Sequence, residues 1–196
     1  MKTDIILAGV GGQGILSIAA TLGAAALNED YYLKQAETHG MSQRGGAVVS
    51  HLRIADHEIH SDLIPMGSAD LILSVEPMES LRYLPYLSEN GSVVTNTVRY
   101  ENIPDYPDLE DKFSGLDAKI NVIQIDADKI AREVGNPKAS NMVMLGAASP
   151  FISIEDEIII KGIETIFQSK GEKIVALNIE AFKKGKQFSN GFLNNA

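Results

Sequence analysis

Residues 4–17, DIILAGVGGQGILS, contain the pattern that decides the fold. Residues 3–8, which are mostly apolar, predict a short buried strand, and residues 13–28, which are mostly small or aliphatic, predict a helix. Residues 31–36 predict a second strand. The segment therefore has the length expected of a strand, turn, helix and strand unit of about 30 residues.

Glycines occupy the turn between the first strand and the helix, in the pattern Gly9-x-Gly11-x-x-Gly14. In this context Gly9 permits a tight turn, and Gly14 permits close packing of the helix on the strand. Gly11 and Gly12 leave bare backbone, and Gln13 adds a side-chain amide. Free amides at a helix start attract anions, so the turn predicts a site for a diphosphate.

The rest of the chain continues to alternate predicted strands and helices. The predicted class is α/β: a single-domain, mostly parallel sheet flanked by helices, with a Rossmann-like glycine turn and an antiparallel hairpin. The hairpin is expected from residues 47–54 and 58–61, with Asp56 and His57 at its turn. Further strands are predicted at 69–75, 92–97 and 121–125, and helices at 78–87, 127–134, 141–151, 153–169 and 180–186. Ser153 is expected to be the N-cap of the helix at residues 153–169. Residues 1–188 are expected to form the domain, and residues 189–196 are expected to form a flexible tail.

Composition narrows the class of protein. The 196 residues are 44% hydrophobic, which is enough for one sizeable core. The formal charge of -9 disfavours nucleic acid as a partner. Residues 5–27 form an apolar run, but four glycines and Gln13 interrupt it, so we expect a cytoplasmic protein without a membrane segment. There are no cysteines, so the chain supplies no thiolate to a zinc ion or an iron-sulfur cluster.

A second glycine-bearing segment, ETHGMSQRGG at residues 37–46, follows the second predicted strand. It lies where open α/β sheets bind ligands, at the carboxyl ends of the strands. Arg44 stands beside two glycines, so its guanidinium is available to a phosphate. Glu37 is placed to bind the ribose of NAD, which leaves a free-standing NAD-dependent dehydrogenase as one alternative. A scaffold whose glycine turn is only structural is another.

Both segments, read together with ADLILSVEPMESLRYLPYL, GSVVTNT and SNMVMLGA, resemble the gamma-type subunit of 2-oxoacid:ferredoxin oxidoreductases. The resemblance covers residues 1–187. HGMSQRGG is most similar to the form in the beta subunit of indolepyruvate ferredoxin oxidoreductase. The pyruvate and 2-ketoisovalerate members of the family remain a further alternative.

The resemblance implies a subunit that is not catalytic alone, in an enzyme that decarboxylates an aryl 2-oxoacid oxidatively to an acyl-CoA and reduces ferredoxin. It implies that a larger partner subunit carries thiamine diphosphate, magnesium and iron-sulfur clusters. It also implies that this chain handles coenzyme A, with no catalytic residue and no metal ligand of its own. The expected contacts are Gly9, Gly11, Gly12, Gln13 and Gly14, with Ser42, Gln43 and Arg44 as a second contact.

A few other polar residues invite a role. His51, His57 and His60 fall on the predicted hairpin, where their spacing does not force a common face. Glu76 follows a buried strand and is interpreted as a helix-start acid. Asn96 and Asn141 are interpreted as caps.

Overall fold

The computed structural model describes residues 1–39, 45–101, 103, 105–116 and 120–194. Six strands form one sheet in the order β2-β3-β1-β4-β5-β6. The strands are β1 (Lys2–Val10), β2 (Tyr32–His39), β3 (Ala47–Ala55), β4 (Ala69–Ser74), β5 (Leu87–Asn96) and β6 (Asn121–Ile125). β1, β4, β5 and β6 run parallel, and β3 is antiparallel to both β1 and β2. The predicted α/β class is confirmed.

Helices follow most of the strands in sequence. They are α1 (Ile15–Asn28), α2 (Pro77–Arg82), α3 (Glu110–Ser114), α4 (Ala127–Glu133), α5 (Ser140–Ala148), α6 (Asp156–Phe167) and α7 (Glu172–Leu193). The larger core lies between one face of the sheet and α1, α4, α5, α6 and α7. A smaller cluster on the other face includes Ile6, Ile72 and Val93, with Ile64 and the segment after α2 packed against it. No described helix is long and apolar enough to cross a bilayer.

The predicted hairpin is wrong in its second strand. β3 pairs with β1 on one side and β2 on the other, so both of its edges are occupied. Residues 58–61 are not a strand. The antiparallel hairpin is β2 with β3, and it places β3 between the two strands that a Rossmann unit would make neighbours.

Several helix boundaries also differ from the predictions. The predicted helix at residues 78–87 is α2 followed by a 3₁₀ turn at Leu84–Tyr86, because Pro85 cannot continue an α-helix. α6 begins at Asp156 with Glu155 as N-cap, so Ser153 is not its cap. The Ser153 amide instead donates to Thr3 Oγ1 at 3.0 Å.

The last helix is longer than predicted. α7 has 22 residues and continues through Ser189, the predicted start of the tail, to Leu193. Ser189 is buried, and its hydroxyl donates to the carbonyl of Ala147 on α5. α5 and α7 cross with backbone in contact, since a Cβ added at Gly185 would lie 1.9 Å from the Val143 carbonyl oxygen.

Candidate functional site

The glycine turn joins β1 to α1 at the carboxyl edge of the sheet. The amide of Gln13 donates to the carbonyl of Val10 at 3.2 Å, and Gln13 Oε1 accepts from the Val10 amide at 2.8 Å. The Gly11 amide donates to the carbonyl of Gly46 at 2.9 Å. The Gln13 side chain therefore closes the turn from inside, which keeps the main chain at Gly12 exposed at its tip.

Two of the glycines in the turn have backbone conformations that disfavour other residues. Gly12 has φ +100 and Gly14 has φ +84, whereas Gly9 lies within β1. A Cβ at Gly12 would meet nothing within 4 Å, so its conformation alone calls for glycine. A Cβ at Gly9 would lie 2.4 Å from Val75 Cγ2. Gly9 thus serves close packing, and Gly12 makes the turn.

The start of α1 presents backbone donors. Gly14 is its N-cap and makes no side-chain cap, and the first amides of a helix have no acceptor within it. Within the described ranges, no acceptor contacts the amides of Gly12 or Gly14. This arrangement of exposed N–H groups at the positive end of a helix suits an anion.

These amides open onto a cleft of about 800 Å³. This volume lies within the range of about 300 to 1,000 Å³ that is usual for small-molecule sites. Gly12, Gln13, Gly14 and Ser17 form one wall. The remaining walls contain amide, charged and apolar side chains: Asn96, Asp128, Asn136, Lys138, Ser140, Asn141, Lys170 and Asn178, with Val75, Pro137, Met144, Phe167 and Ile174.

Three helices begin at this cleft. The N-caps of α1, α5 and α7 are Gly14, Ala139 and Gly171, and none of these three residues caps its helix with a side chain, although Asn141 Oδ1 accepts from the Met142 amide in the first turn of α5 at 3.0 Å. Residues of the first turns of α5 and α7, including Asn141 and Ile174, line the cleft. Three positive helix ends therefore face one cavity.

Two lysines add full charges to that wall. Lys138 lies in a 3₁₀ turn just before α5, and Lys170 lies just before α7; both are exposed. The ammonium of Lys170 lies 5.0 Å from the centre of the Phe167 ring, which orients it. No carboxylate of the described chain pairs with either lysine.

Asparagines connect the elements around the cleft. Asn141 Nδ2 donates to the carbonyl of Gly14 at 3.2 Å, which ties α5 to the glycine turn. Asn96 Nδ2 donates to Asp128 at 2.8 Å, and Asn96 Oδ1 accepts from the Ala127 amide, the first of α4, at 3.2 Å, although the N-cap residue of α4 is Asp126. Asn178 is 2% exposed, and its Oδ1 receives no hydrogen bond from the described protein.

The second glycine-bearing segment approaches the first, although Ser42, Gln43 and Arg44 lie outside the described residues. β2 ends at His39 and β3 begins at Ala47, and both of these strand ends lie at the edge of the sheet where β1 also ends. The Gly46 carbonyl accepts from Gly11, and Gly45 lies against the ring of Tyr100.

Glu37 does not lie where a dinucleotide site needs its acid. It pairs with Ser50 of β3, and Ser50 pairs with Leu7 of β1. Two strand spacings, about 10 Å, therefore separate Glu37 from β1. In the NAD-binding fold that acid lies on the strand next to β1. The geometry does not favour the dehydrogenase alternative.

Glu76 is buried and caps α2, as interpreted. Its carboxylate accepts from the Glu79 amide at 3.0 Å, from the Tyr100 amide at 3.3 Å and from the Tyr106 hydroxyl. Burial, followed by this hydrogen bond, raises the pKa of Tyr106 well above its ordinary value. Glu76 thereby fixes Tyr100, whose ring lies against Gly45.

The sequence placed His51, His57 and His60 on one predicted hairpin. In the structure, His51 and His57 contact different partners. His51 Nδ1 accepts from the Ile64 amide at 3.1 Å, and its ring meets Tyr86 edge-on. Burial, and then the charge of Arg53, lowers the pKa of His51. His57 pairs with Asp56 at 2.8 Å on the surface.

Sequence reasoning found the glycine turn but missed Lys138, Lys170 and Asn178. These residues lie more than 120 positions after Gly14 and reach it through the packing of α5 on α1 and of α7 on α5. The sequence offered one weak signal. The residues directly before α5 and α7, Ala139 and Gly171, are not the Ser, Thr, Asp or Asn that usually cap a helix.

Comparison with known proteins identifies the family of this chain. The sequence model of the pyruvate ferredoxin/flavodoxin oxidoreductase family matches residues 4–188. The indolepyruvate oxidoreductase subunit IorB of Pyrococcus horikoshii is 38% identical, over 97% of this chain and 98% of that one. The IorB subunit of Methanothermobacter thermautotrophicus is 36% identical, over 94% and 96%.

Solved structures share the fold. A 2-oxoglutarate:ferredoxin oxidoreductase of Magnetococcus marinus, with 2-oxoglutarate, coenzyme A and succinyl-CoA bound, matches with a TM-score of 0.79 at 22% identity. The match covers 97% of this chain but only 31% of that one. The gamma subunit of a keto/oxoacid ferredoxin oxidoreductase of Geobacter sulfurreducens matches with a TM-score of 0.72 at 22% identity, over 96% and 99%. The chain belongs to the pyruvate ferredoxin/flavodoxin oxidoreductase family.

Proposed function

We propose that this chain is the coenzyme A-handling subunit of an indolepyruvate, or other aryl 2-oxoacid, ferredoxin oxidoreductase. The observation that carries the proposal is the glycine turn: exposed amides at the start of α1 open onto a cleft large enough for a nucleotide-bearing ligand. The similarity to IorB subunits over nearly the full length of both chains supports the aryl 2-oxoacid class.

Coenzyme A fits the chemistry of the described residues. Its diphosphate needs backbone donors and positive charge, which Gly12, Gly14 and the helix start supply. Gly9 and Gly11 shape the turn, and Gln13 closes it. Ser42, Gln43 and Arg44 belong to the proposal as the second contact, since Gly45 and Gly46 meet the turn beside Tyr100 and Gly11. When bound, coenzyme A supplies the thiol that receives the acyl group.

The electron-transfer chemistry belongs to a partner in this proposal. The chain has no cysteine for an iron-sulfur cluster. A larger subunit would carry thiamine diphosphate, magnesium and the clusters, and would pass electrons to ferredoxin in the cytoplasm. The Magnetococcus marinus chain supports this division, because the present fold accounts for about a third of its length.

Reconstitution tests the proposal. The purified chain is mixed with the proposed larger subunit from the same organism, and ferredoxin reduction is followed with indolepyruvate and coenzyme A. Activity that requires both chains is expected. Full activity of the larger subunit alone would contradict the proposal.

The second contact has its own test. Arg44→Ala removes a charge-assisted contact of about 1.5 to 3 kcal/mol, so the KM for coenzyme A should rise about tenfold or more while kcat changes little. Lys34→Ala is the control, because Lys34 is a surface residue of β2 that pairs with Asp62. An unchanged KM in Arg44→Ala would remove Arg44 from the site.

A further inference from the structure

We propose that Lys138 and Lys170, together with the uncapped starts of α5 and α7, bind the ribose phosphate of coenzyme A. This inference rests on the proposed function and extends it to the side of the cleft away from the glycine loops. It assigns the diphosphate to the glycine turn and the terminal phosphomonoester to the lysines. The site would thus distinguish coenzyme A from carriers that lack that phosphate.

Charge is the first argument. A phosphomonoester carries about two negative charges near neutral pH. Burying part of that charge against a protein of net charge -9 needs local cations. Lys138 and Lys170 line the same cleft as Gly12 and Gly14, and neither has a carboxylate partner among residues that the structure describes.

The helix starts are the second argument. α5 has nine residues and α7 has 22, and their N-cap residues, Ala139 and Gly171, have no side-chain oxygen. Such N-cap positions usually hold Ser, Thr, Asp or Asn. The Met142 amide of α5 donates to Asn141 Oδ1 and the Ile174 amide of α7 donates to the Gly171 carbonyl, so the amides before them are the ones that a ligand oxygen beside the two lysines could contact.

Asn178 supplies an independent indication of a ligand. It lies one turn beyond Ile174 on α7 and lines the cleft, and it is 2% exposed. Its Nδ2 donates to the Ile174 carbonyl at 2.8 Å, but its Oδ1 has no donor from the described protein. A buried acceptor without a donor costs about 1 to 3 kcal/mol, which an N–H group of a bound nucleotide or amide would relieve.

The positions of the lysines are fixed by their surroundings. Asn136 Oδ1 accepts from the amide of Lys138 at 3.3 Å, which holds the 3₁₀ turn before α5. The Lys170 ammonium lies over the Phe167 ring. The backbone of Lys138 and the ammonium of Lys170 are therefore held at the cleft by neighbours other than carboxylates.

The test compares coenzyme A with dephospho-coenzyme A, which lacks only the ribose phosphate. Dissociation constants are measured by calorimetry on the complex with the larger subunit, without 2-oxoacid. The wild type should bind coenzyme A about tenfold or more tightly than dephospho-coenzyme A. Lys138→Met with Lys170→Met should bind both about equally, at the affinity the wild type has for dephospho-coenzyme A.

Lys184→Met is the matched control. Lys184 is an exposed lysine in the middle of α7 that does not line the cleft, so its replacement should preserve the preference. Equal wild-type affinity for the two carriers would overturn this inference and leave the proposed function intact. A preference that survives in the double variant would also overturn it. Failure of the wild type to bind either carrier would overturn both proposals.

Discussion

Replacing Gly12 by alanine separates the shape of the glycine turn from its function. Gly12 has φ +100, and an added Cβ meets nothing within 4 Å. The protein therefore offers no steric resistance, and the expected loss of stability is the conformational cost of a left-handed residue, about 1 to 2 kcal/mol. For a domain of this size, the melting temperature should fall by about 2 to 8 °C.

The same methyl group stands in the space where the proposed diphosphate approaches the backbone. The affinity for coenzyme A should therefore fall about tenfold or more, beyond what the loss of stability explains. Calorimetric titration gives the affinity, and thermal unfolding followed by circular dichroism gives the stability. Both are measured on the same preparation, so that the two effects can be compared directly.

Gly67→Ala is the matched control. Gly67 has φ +71, and a Cβ there also meets nothing within 4 Å, but Gly67 does not line the cleft. It should lose a similar amount of stability and keep its affinity for coenzyme A. Equal affinities in the two variants would refute the reasoning, because the turn would then be structural only, as in the scaffold alternative.

Two further predictions concern packing and ionisation. Gly185→Ala places a Cβ 1.9 Å from the Val143 carbonyl oxygen, so α5 and α7 must separate. The free energy of unfolding, measured by denaturant titration, should fall by about 3 kcal/mol or more. Gly191→Ala on the same helix is the control, because a Cβ there has open space and should cause no loss of stability. Glu76→Gln removes the charge beside Tyr106 and should lower the raised pKa of that phenol, so ultraviolet titration should show the last tyrosine ionising at lower pH. The pKa of Tyr106 is raised in the folded protein, so the stability that its protonated hydroxyl contributes is present below pH 10.0 and is lost as the pH rises through the folded pKa. An unfolding transition at alkaline pH that Glu76→Gln leaves unchanged would argue against this contribution.

Local patterns predicted the elements whose neighbours in sequence are also neighbours in space. β6 is Asn121–Ile125, the predicted range, and the turn from β1 into α1 lies at the predicted glycines. The partner of β3 was predicted wrongly because apolar alternation identifies a strand but not the edge on which it pairs. Its observed partners are β2, the strand directly before it in the chain, and β1, which lies about 45 residues earlier.

The length of α7 was underestimated for a different physical reason. The buried residues of α7 include only one large apolar side chain, Phe182; the others are small or polar, namely Asn178, Ala181, Gly185 and Ser189, so the apolar stripe that identifies an amphipathic helix is weak beyond Phe182. Close approach of the α5 and α7 backbones replaces side-chain volume at this crossing. A sequence pattern based on hydrophobicity does not register such a contact.

The cleft shows why sequence analysis can identify one part of a binding site and miss another. The glycine turn could be predicted because its strand, turn and helix are consecutive in the sequence, so their spacing alone places the backbone amides of the turn at the start of α1. The opposite wall depends on the starts of α5 and α7, each of which looks merely uncapped when read alone. An uncapped helix start exposed to water has its amides solvated and indicates nothing. Three of them beside one cavity, with two lysines that have no carboxylate partner in the described part of the chain, concentrate positive potential there, while the lining carboxylate of Asp128 accepts a hydrogen bond from Asn96 and pairs with neither lysine. An anionic ligand with two separate phosphate groups neutralises it, which is why the comparison of coenzyme A with its dephospho form tests the convergence of the helices and not only the lysines.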